Sequence, residues 1–245
     1  MMKNEILDNF SGKYCNVNDI MAYVTGLNGD TSRKTVLWNI NNLIQKGQVA
    51  RFGRGVYGFT SKPTFIPYVS EEAKQTCMRI KQKFRYLELT VTDSSILGQF
   101  MVLQPFSSVI VIEVRKSAVN AVVSFLRNEG IDAYIKKDYK LIEKYILTPQ
   151  PYIIRSELIT NPNLKSENNV RYSSLEKILV DIVCDDIVYS QYQDAELLNI
   201  YKNITNKYII NYSQMLKYAA SRKRKSSVLA LLDETTEFNK LRSLL

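Results

Sequence analysis

One stretch limits the possible folds of this chain more than any other. It is RKTVLWNINNLIQKGQVARFGRGVYGFT, Arg33–Thr60. At about 100° per residue, Val36, Leu37, Ile40, Leu43 and Ile44 share one stripe of a helix. Thr31 or Ser32 supplies its cap, and Gly47 is a suitable C-terminal glycine. QVARF and VYGF then read as two short strands joined by a tight GRG turn. A helix with one apolar stripe, followed directly by a two-stranded hairpin, leaves few ways to build a core.

The residues before it narrow the choice further. Residues 3–11 form a first helix with Ile6, Leu7 and Phe10 on one side. Asn18 caps a second helix over Asp19–Val24, ended by Gly26. Three helices followed by a β-hairpin predict a winged helix-turn-helix over residues 1–62. The face of the third helix opposite the apolar stripe carries Lys34, Thr35, Trp38, Asn41, Asn42 and Gln45, with Arg33 in the first turn. The hairpin adds Arg51 and Arg54. These donor-rich side chains suit phosphates and base edges. From Thr31 to Ser70 there are six Lys and Arg and no Asp or Glu. A carboxylate on such a surface would repel phosphate, whereas each cation placed there releases counterions. Double-stranded DNA is therefore the expected partner. The expected contacts are Arg33, Lys34, Thr35, Trp38, Asn42, Arg51 and Arg54, although Trp38 is expected to pack under the wing. A module used for protein contact, with an idle basic surface, is the bland alternative.

The net charge of +9 agrees with a polyanionic partner, and residues 1–62 hold 8 bases against 4 acids. No apolar run approaches the roughly 20 residues of a membrane span. MMKNEILDNF lacks the apolar core of a secretory signal, so a cytoplasmic protein is expected. Histidine is absent, which removes the commonest general base and metal ligand. Cys15, Cys77 and Cys184 are far apart and fit neither a disulfide framework nor a zinc site. Each reads as a small buried apolar residue. No metal and no cofactor are expected.

Past the connector KPTFIPYVS the pattern changes. EEAKQTCMRIKQKF reads as a helix, YLELTV as a strand, and TDSSILGQFM as a capped helix. SSVIVIEV is a buried strand, and KSAVNAVVSFLRNEGI is an amphipathic helix closed by Gly130. DAYIKK and PYIIRSEL add strands. From Ser173 the chain turns helical, ending in YSQMLKYAASRKRKSSVLALLDE. Alternating strands and helices predict a mixed α/β domain over residues 63–245 with a helical C-terminal part, α+β overall.

Enzyme signatures are sparse. There is no phosphate loop and no GxGxxG. Asp93 with Glu113-Val114-Arg115-Lys116 is the best nuclease-like set, but Lys116 is one residue out of phase for a strand. Glu113 and Arg115 are expected to end a strand in solvent, and no catalytic residue is assigned. Asp181, Asp185 and Asp186, with 181 and 185 on one helix face, are expected to be solvated, with a held cation as the alternative. Arg222-Lys223-Arg224-Lys225 reads as a solvated charge run, or as a second nucleic-acid or acidic-partner contact.

LIQKGQVARFGRGVYGF, Leu43–Phe59, resembles the recognition-helix end and wing of antitoxins of the AbiE type. These belong to the type IV toxin–antitoxin systems of bacterial abortive infection. YSSLEKILVDIV, Tyr172–Val183, is similar to that family's S-x-E-K-x-L-x-D segment, and LKYAASRKRKSSVLALLD is similar to its closing helix, basic cluster and helix. The resemblance implies an autorepressor that binds its own promoter and counters a nucleotidyltransferase-like toxin. It implies antitoxin or partner roles for Ser174, Glu176, Lys177, Asp181 and Arg222, Lys223, Arg224 and Lys225. A dimer on DNA is expected from paired half-sites. A stand-alone regulator, with a ligand-sensing or dimerisation domain, stays open beside it.

Overall fold

The computed structural model describes residues 2–60, 62–138, 150–156, 163–165 and 170–244. At the front lie three helices, α1 (Met2–Phe10), α2 (Val17–Asn28) and α3 (Arg33–Gln45). They pack on an antiparallel sheet of β1 (Tyr14–Asn16), β2 (Ala50–Gly53) and β3 (Val56–Gly58), in the order β1-β3-β2. Ser32 caps α3 through the Thr35 amide, and Val36, Ile40 and Leu43 are buried as the stripe requires. α2 begins earlier than expected. Asn16, not Asn18, is its cap, in a reciprocal box with Asp19. Gly26 is taken inside the helix, and the chain turns at Gly29 instead. β1 was hidden because a three-residue edge strand is too short to show alternation.

This small sheet is apolar on both faces. Cys15, Val17, Val49, Tyr57 and Phe59 join Ile6, Ile20, Val36 and Ile40 in the front core. Ala50, Phe52 and Val56 belong to a second core, built mainly from the C-terminal helices. Gly58 makes the close crossing possible. A Cβ there would stand 2.6 Å from Phe52 and 2.7 Å from Tyr14. Gly55, at φ +75°, makes the turn between β2 and β3.

The rest is a six-stranded mixed sheet of order β6-β7-β5-β4-β9-β8. Its strands are β4 (Leu89–Asp93), β5 (Ile110–Val114), β6 (Ala133–Ile135), β7 (Tyr152–Ser156), β8 (Asn163–Lys165) and β9 (Val170–Ser173). β5, β7 and β6 are mutually parallel, and β4 and β5 are antiparallel. One face is covered by α4 (Glu71–Lys83) and α5 (Val119–Asn128), which bury Ile110, Ile112, Val114 and Ile154. The other face meets α6 (Leu175–Cys184), α7 (Asp194–Lys207), α8 (Tyr212–Ser221), α9 (Lys225–Asp233) and α10 (Thr236–Leu241).

The mixed α/β class therefore holds, with three differences of detail. Ser94–Phe100 is a 3-10 helix capped by Asp93. β8 and β9 were not foreseen, and the tail of the expected strand, Glu157 and Leu158, lies outside the described residues. The segment YSQMLKYAASRKRKSSVLALLDE, helical by pattern, is two helices separated at Arg222–Arg224, the helix, basic cluster and helix that the resemblance gave. Lys223 adopts φ +57°, and the amides of Lys223 and Arg224 bond back to Ala220 and Ala219. That closes α8 in the manner of a glycine C-cap. Among the described residues no helix is long and apolar enough to cross a membrane.

Candidate functional site

α3 turns its polar face outward. Arg33, Lys34, Thr35, Trp38, Asn41 and Gln45 are exposed, as are Arg51 and Arg54 on the hairpin. Burying Val36, Ile40 and Leu43 forces this result, because the opposite side of a helix must then face water. Arg33 donates to Asn18 Oδ1 at 3.0 Å, and Arg51 Nε donates to the Gly53 carbonyl at 3.1 Å. Both guanidiniums are thus oriented without an acid to neutralise them. Trp38 corrects the expectation made for it. It is 61% exposed, with the Lys3 ammonium 4.9 Å from its ring centre, and does not pack under the hairpin. Asn42 is only half-exposed. Its Nδ2 is buried without a hydrogen-bond partner, so the amide nitrogen is turned away from the surface.

A second constellation lies inside the molecule. Register alone aligns Thr90, Glu113 and Arg155 across β4, β5 and β7, on the face toward the helices. Arg155 Nε donates to Glu113 Oε1 at 2.8 Å, and Arg155 Nη2 donates to Asp181 Oδ2 at 2.7 Å. Lys177 Nζ donates to Glu113 Oε1 at 2.8 Å and also pairs with Asp181, one turn along α6. Asp181 takes further bonds from the Tyr218 hydroxyl, at 2.7 Å, and from Arg222. Asp185 is paired with Arg155, Arg222 and Lys136. Glu113, Lys177, Asp181 and Asp185 are all within 2% of complete burial.

Burial alone would raise these carboxyls, but the cations outweigh it. Arg155 and Lys177 hold Glu113 below the usual carboxylate range, and Lys177, Arg155 and Arg222 do so for Asp181. Asp185 is also lowered, with Arg155 and Lys136 overcoming its desolvation. All three are therefore ionised at neutral pH, facing the four cations Lys136, Arg155, Lys177 and Arg222.

A model of the family of unknown function DUF6577 matches residues 35–237 of this chain. The chain belongs to the DUF6577 family. No curated protein matches it. The matched span takes in the buried charge cluster whole, together with most of α3 and the hairpin. The residues ahead of Thr35, including Arg33 and the first two helices, lie outside it.

Several expectations for this DUF6577 member need correction. Glu113 does not end a strand in solvent, and Asp181 and Asp185 are not solvated, although Asp186 and Arg115 are exposed. Ser174 is the buried N-cap of α6, accepting from the Lys177 amide at 3.3 Å. Glu176 accepts the Asn211 amide at 2.9 Å and so ties α6 to the start of α8. The S-x-E-K-x-x-x-D pattern is thereby used internally. Burial closes Ser174, Lys177 and Asp181 to direct contact with a partner, and Glu176 is partly covered. Within the basic run, Arg222 points into the cluster, while Lys223, Arg224 and Lys225 are exposed.

The nuclease-like set does not converge. Asp93 and Thr90 are three residues apart on β4, so Asp93 faces away from the side on which Glu113 lies opposite Thr90. Asp93 instead accepts the amides of Ser70 and Ser95. Among the described residues no group of three His, Cys, Asp or Glu is placed to hold a metal. Burial pushes the thiols of Cys15 and Cys77 up to about 12, which suits the apolar role expected of them. Sequence reading missed Lys136 and Arg155 altogether, and gave Tyr218 only as a packing aromatic, which it is, without its bond to Asp181. An Arg in the otherwise apolar β7 run YIIRS was the available signal.

Proposed function

We propose that this DUF6577 member binds duplex DNA through its front module, a winged helix-turn-helix, with α3 as the reading helix and β2–β3 as the wing. In this reading it represses its own promoter and serves as the antitoxin of a type IV system, countering a nucleotidyltransferase-like toxin. One observation carries the DNA half: an exposed α3 face and hairpin with Arg33, Lys34, Arg51 and Arg54, flanked by no carboxylate from Thr31 to Ser70. The order of three helices and the β1-β3-β2 sheet also support the winged-helix reading. The antitoxin half rests on the sequence resemblance. Any contact with a toxin falls to exposed positions such as Lys223, Arg224 and Lys225, because the acid–lysine helix is occupied internally.

The test is a titration of the full chain against its own promoter fragment, with random DNA as reference, at physiological salt. Specific association supports the reading, and no association overturns it. Co-expression with the neighbouring reading frame, scored by growth, tests the antitoxin half separately.

A further inference from the structure

β5, β6 and β7 run parallel and end side by side, and a cleft of about 600 Å³ opens at their carboxyl ends. Open α/β sheets bind ligands in this position, because the strand ends and the starts of the following helices leave a crevice there. The volume falls in the ordinary range for small-molecule sites. Its walls are of two kinds. Val119, Ile135, Ile154 and Ile187 are apolar, and Lys116, Lys136, Lys137 and Arg155 are cationic. No carboxylate among the described residues lines it. The N-terminal end of α5 also faces it through Val119 and Asn120, with no acid in that helix's first turn.

The charge cluster points to the same ligand sign. Lys136 and Arg155 belong to both cluster and cleft. Among the described residues of the cluster, four cations stand against three carboxylates, and the cleft adds the exposed Lys116 and Lys137. A buried group of this kind is stable only when its charges are matched. Of its cations Lys136 is the most exposed, and it lies on the cleft. Three lysine ammoniums around one crevice suit a phosphate as point charges. The aliphatic walls, with Asn120 and Ser156 beside them, suit a flat heterocycle with polar edges.

We propose that this cleft binds a small nucleoside phosphate, its phosphate among Lys116, Lys136 and Lys137 and its ring against Val119, Ile135 and Ile187. The site is separate from the α3 surface and does not depend on DNA binding. Calorimetric titration of the full chain with AMP, adenosine and inorganic phosphate tests it. AMP should bind with an affinity that falls as salt rises, with adenosine and phosphate each at least tenfold weaker. Lys116→Gln with Lys137→Gln, both exposed and therefore compatible with folding, should weaken AMP at least tenfold at an unchanged melting temperature. Arg54→Ala should leave AMP binding unaltered. The proposal falls if AMP does not bind, if phosphate alone binds as well, or if the double variant binds AMP normally. It also falls if a single-stranded oligonucleotide, and not AMP, loses affinity in the double variant.

Discussion

Two basic regions of this molecule look alike as strings of letters and behave oppositely in space. Arg33-Lys34, with Arg51 and Arg54, is exposed within a stretch, Thr31–Ser70, that holds no acid. Arg222, which opens the densest basic run, turns inward onto Asp181 and Asp185. The difference comes from what lies beneath each. Under α3 is an apolar stripe, which sends every polar side chain outward. Under the end of α8 is a carboxylate-bearing face of α6, which draws a cation in. A count of lysines and arginines therefore does not locate a polyanion surface. The phase of the acids on adjacent elements does.

The largest test of the contrast is Asp181→Ala. It strands Lys177, Arg155 and Arg222 without their shared carboxylate, and should cost about 3–5 kcal/mol in urea unfolding. Lys34→Ala should cost less than about 0.5 kcal/mol, as expected of an exposed site. Equal effects would mean that the cluster is not held as a unit.

Acid should separate the regions in the same direction. Glu113, Asp181 and Asp185 titrate below their unfolded values, so their contribution is complete above the unfolded carboxylate pKa of about 4. It is lost as pH falls further, through the folded values. Urea midpoints should thus decline steeply below pH of about 4. Asp181→Asn should flatten that decline, and an undiminished decline would place the acid sensitivity elsewhere.

Arg54→Ala should weaken binding to all DNA sequences alike and reduce the slope of log affinity against log salt by about one unit. Arg222→Ala should destabilise the fold while leaving that slope alone. A fall in slope with Arg222→Ala would move the basic run onto the nucleic acid. A stability effect smaller than that of Asp181→Ala concerns the break between α8 and α9. Lys223 sits in the left-handed region, which costs a side-chain-bearing residue roughly 1–2 kcal/mol. Lys223→Gly should therefore raise the unfolding free energy measured in urea by an amount near the lower end, about 1 kcal/mol.

Much of the front half was legible because local signals agree there. The α3 stripe, the Ser32 cap and the glycine turn all favour one structure. The α2 boundary was missed because Asn16 and Asn18 are equally good caps in isolation. Packing of Val17 into the core decides between them. The charge cluster was illegible for a different reason. Its members come from β5, β7, α6 and α8 and from the residue after β6, and a lone Glu or Arg in a strand reads as a solvent-facing end. Only register brings Glu113 beside Arg155. Trp38 was misjudged because a large aromatic is usually worth burying, whereas here the stripe beneath α3 is already filled by aliphatic residues.

The small sheet sandwiched between two cores has one more consequence. Phe52 lies against Tyr212, Glu237 grips both Tyr14 and Lys62, and the Arg54 amide bonds to Ser213. The front module is thus seated on the body, not tethered to it by a string. Two copies on a palindromic operator would have their footprint dictated by the girth of the whole molecule. Lengthening the spacer by half a helical repeat would then abolish joint occupancy, where a loosely hung reader would simply stretch.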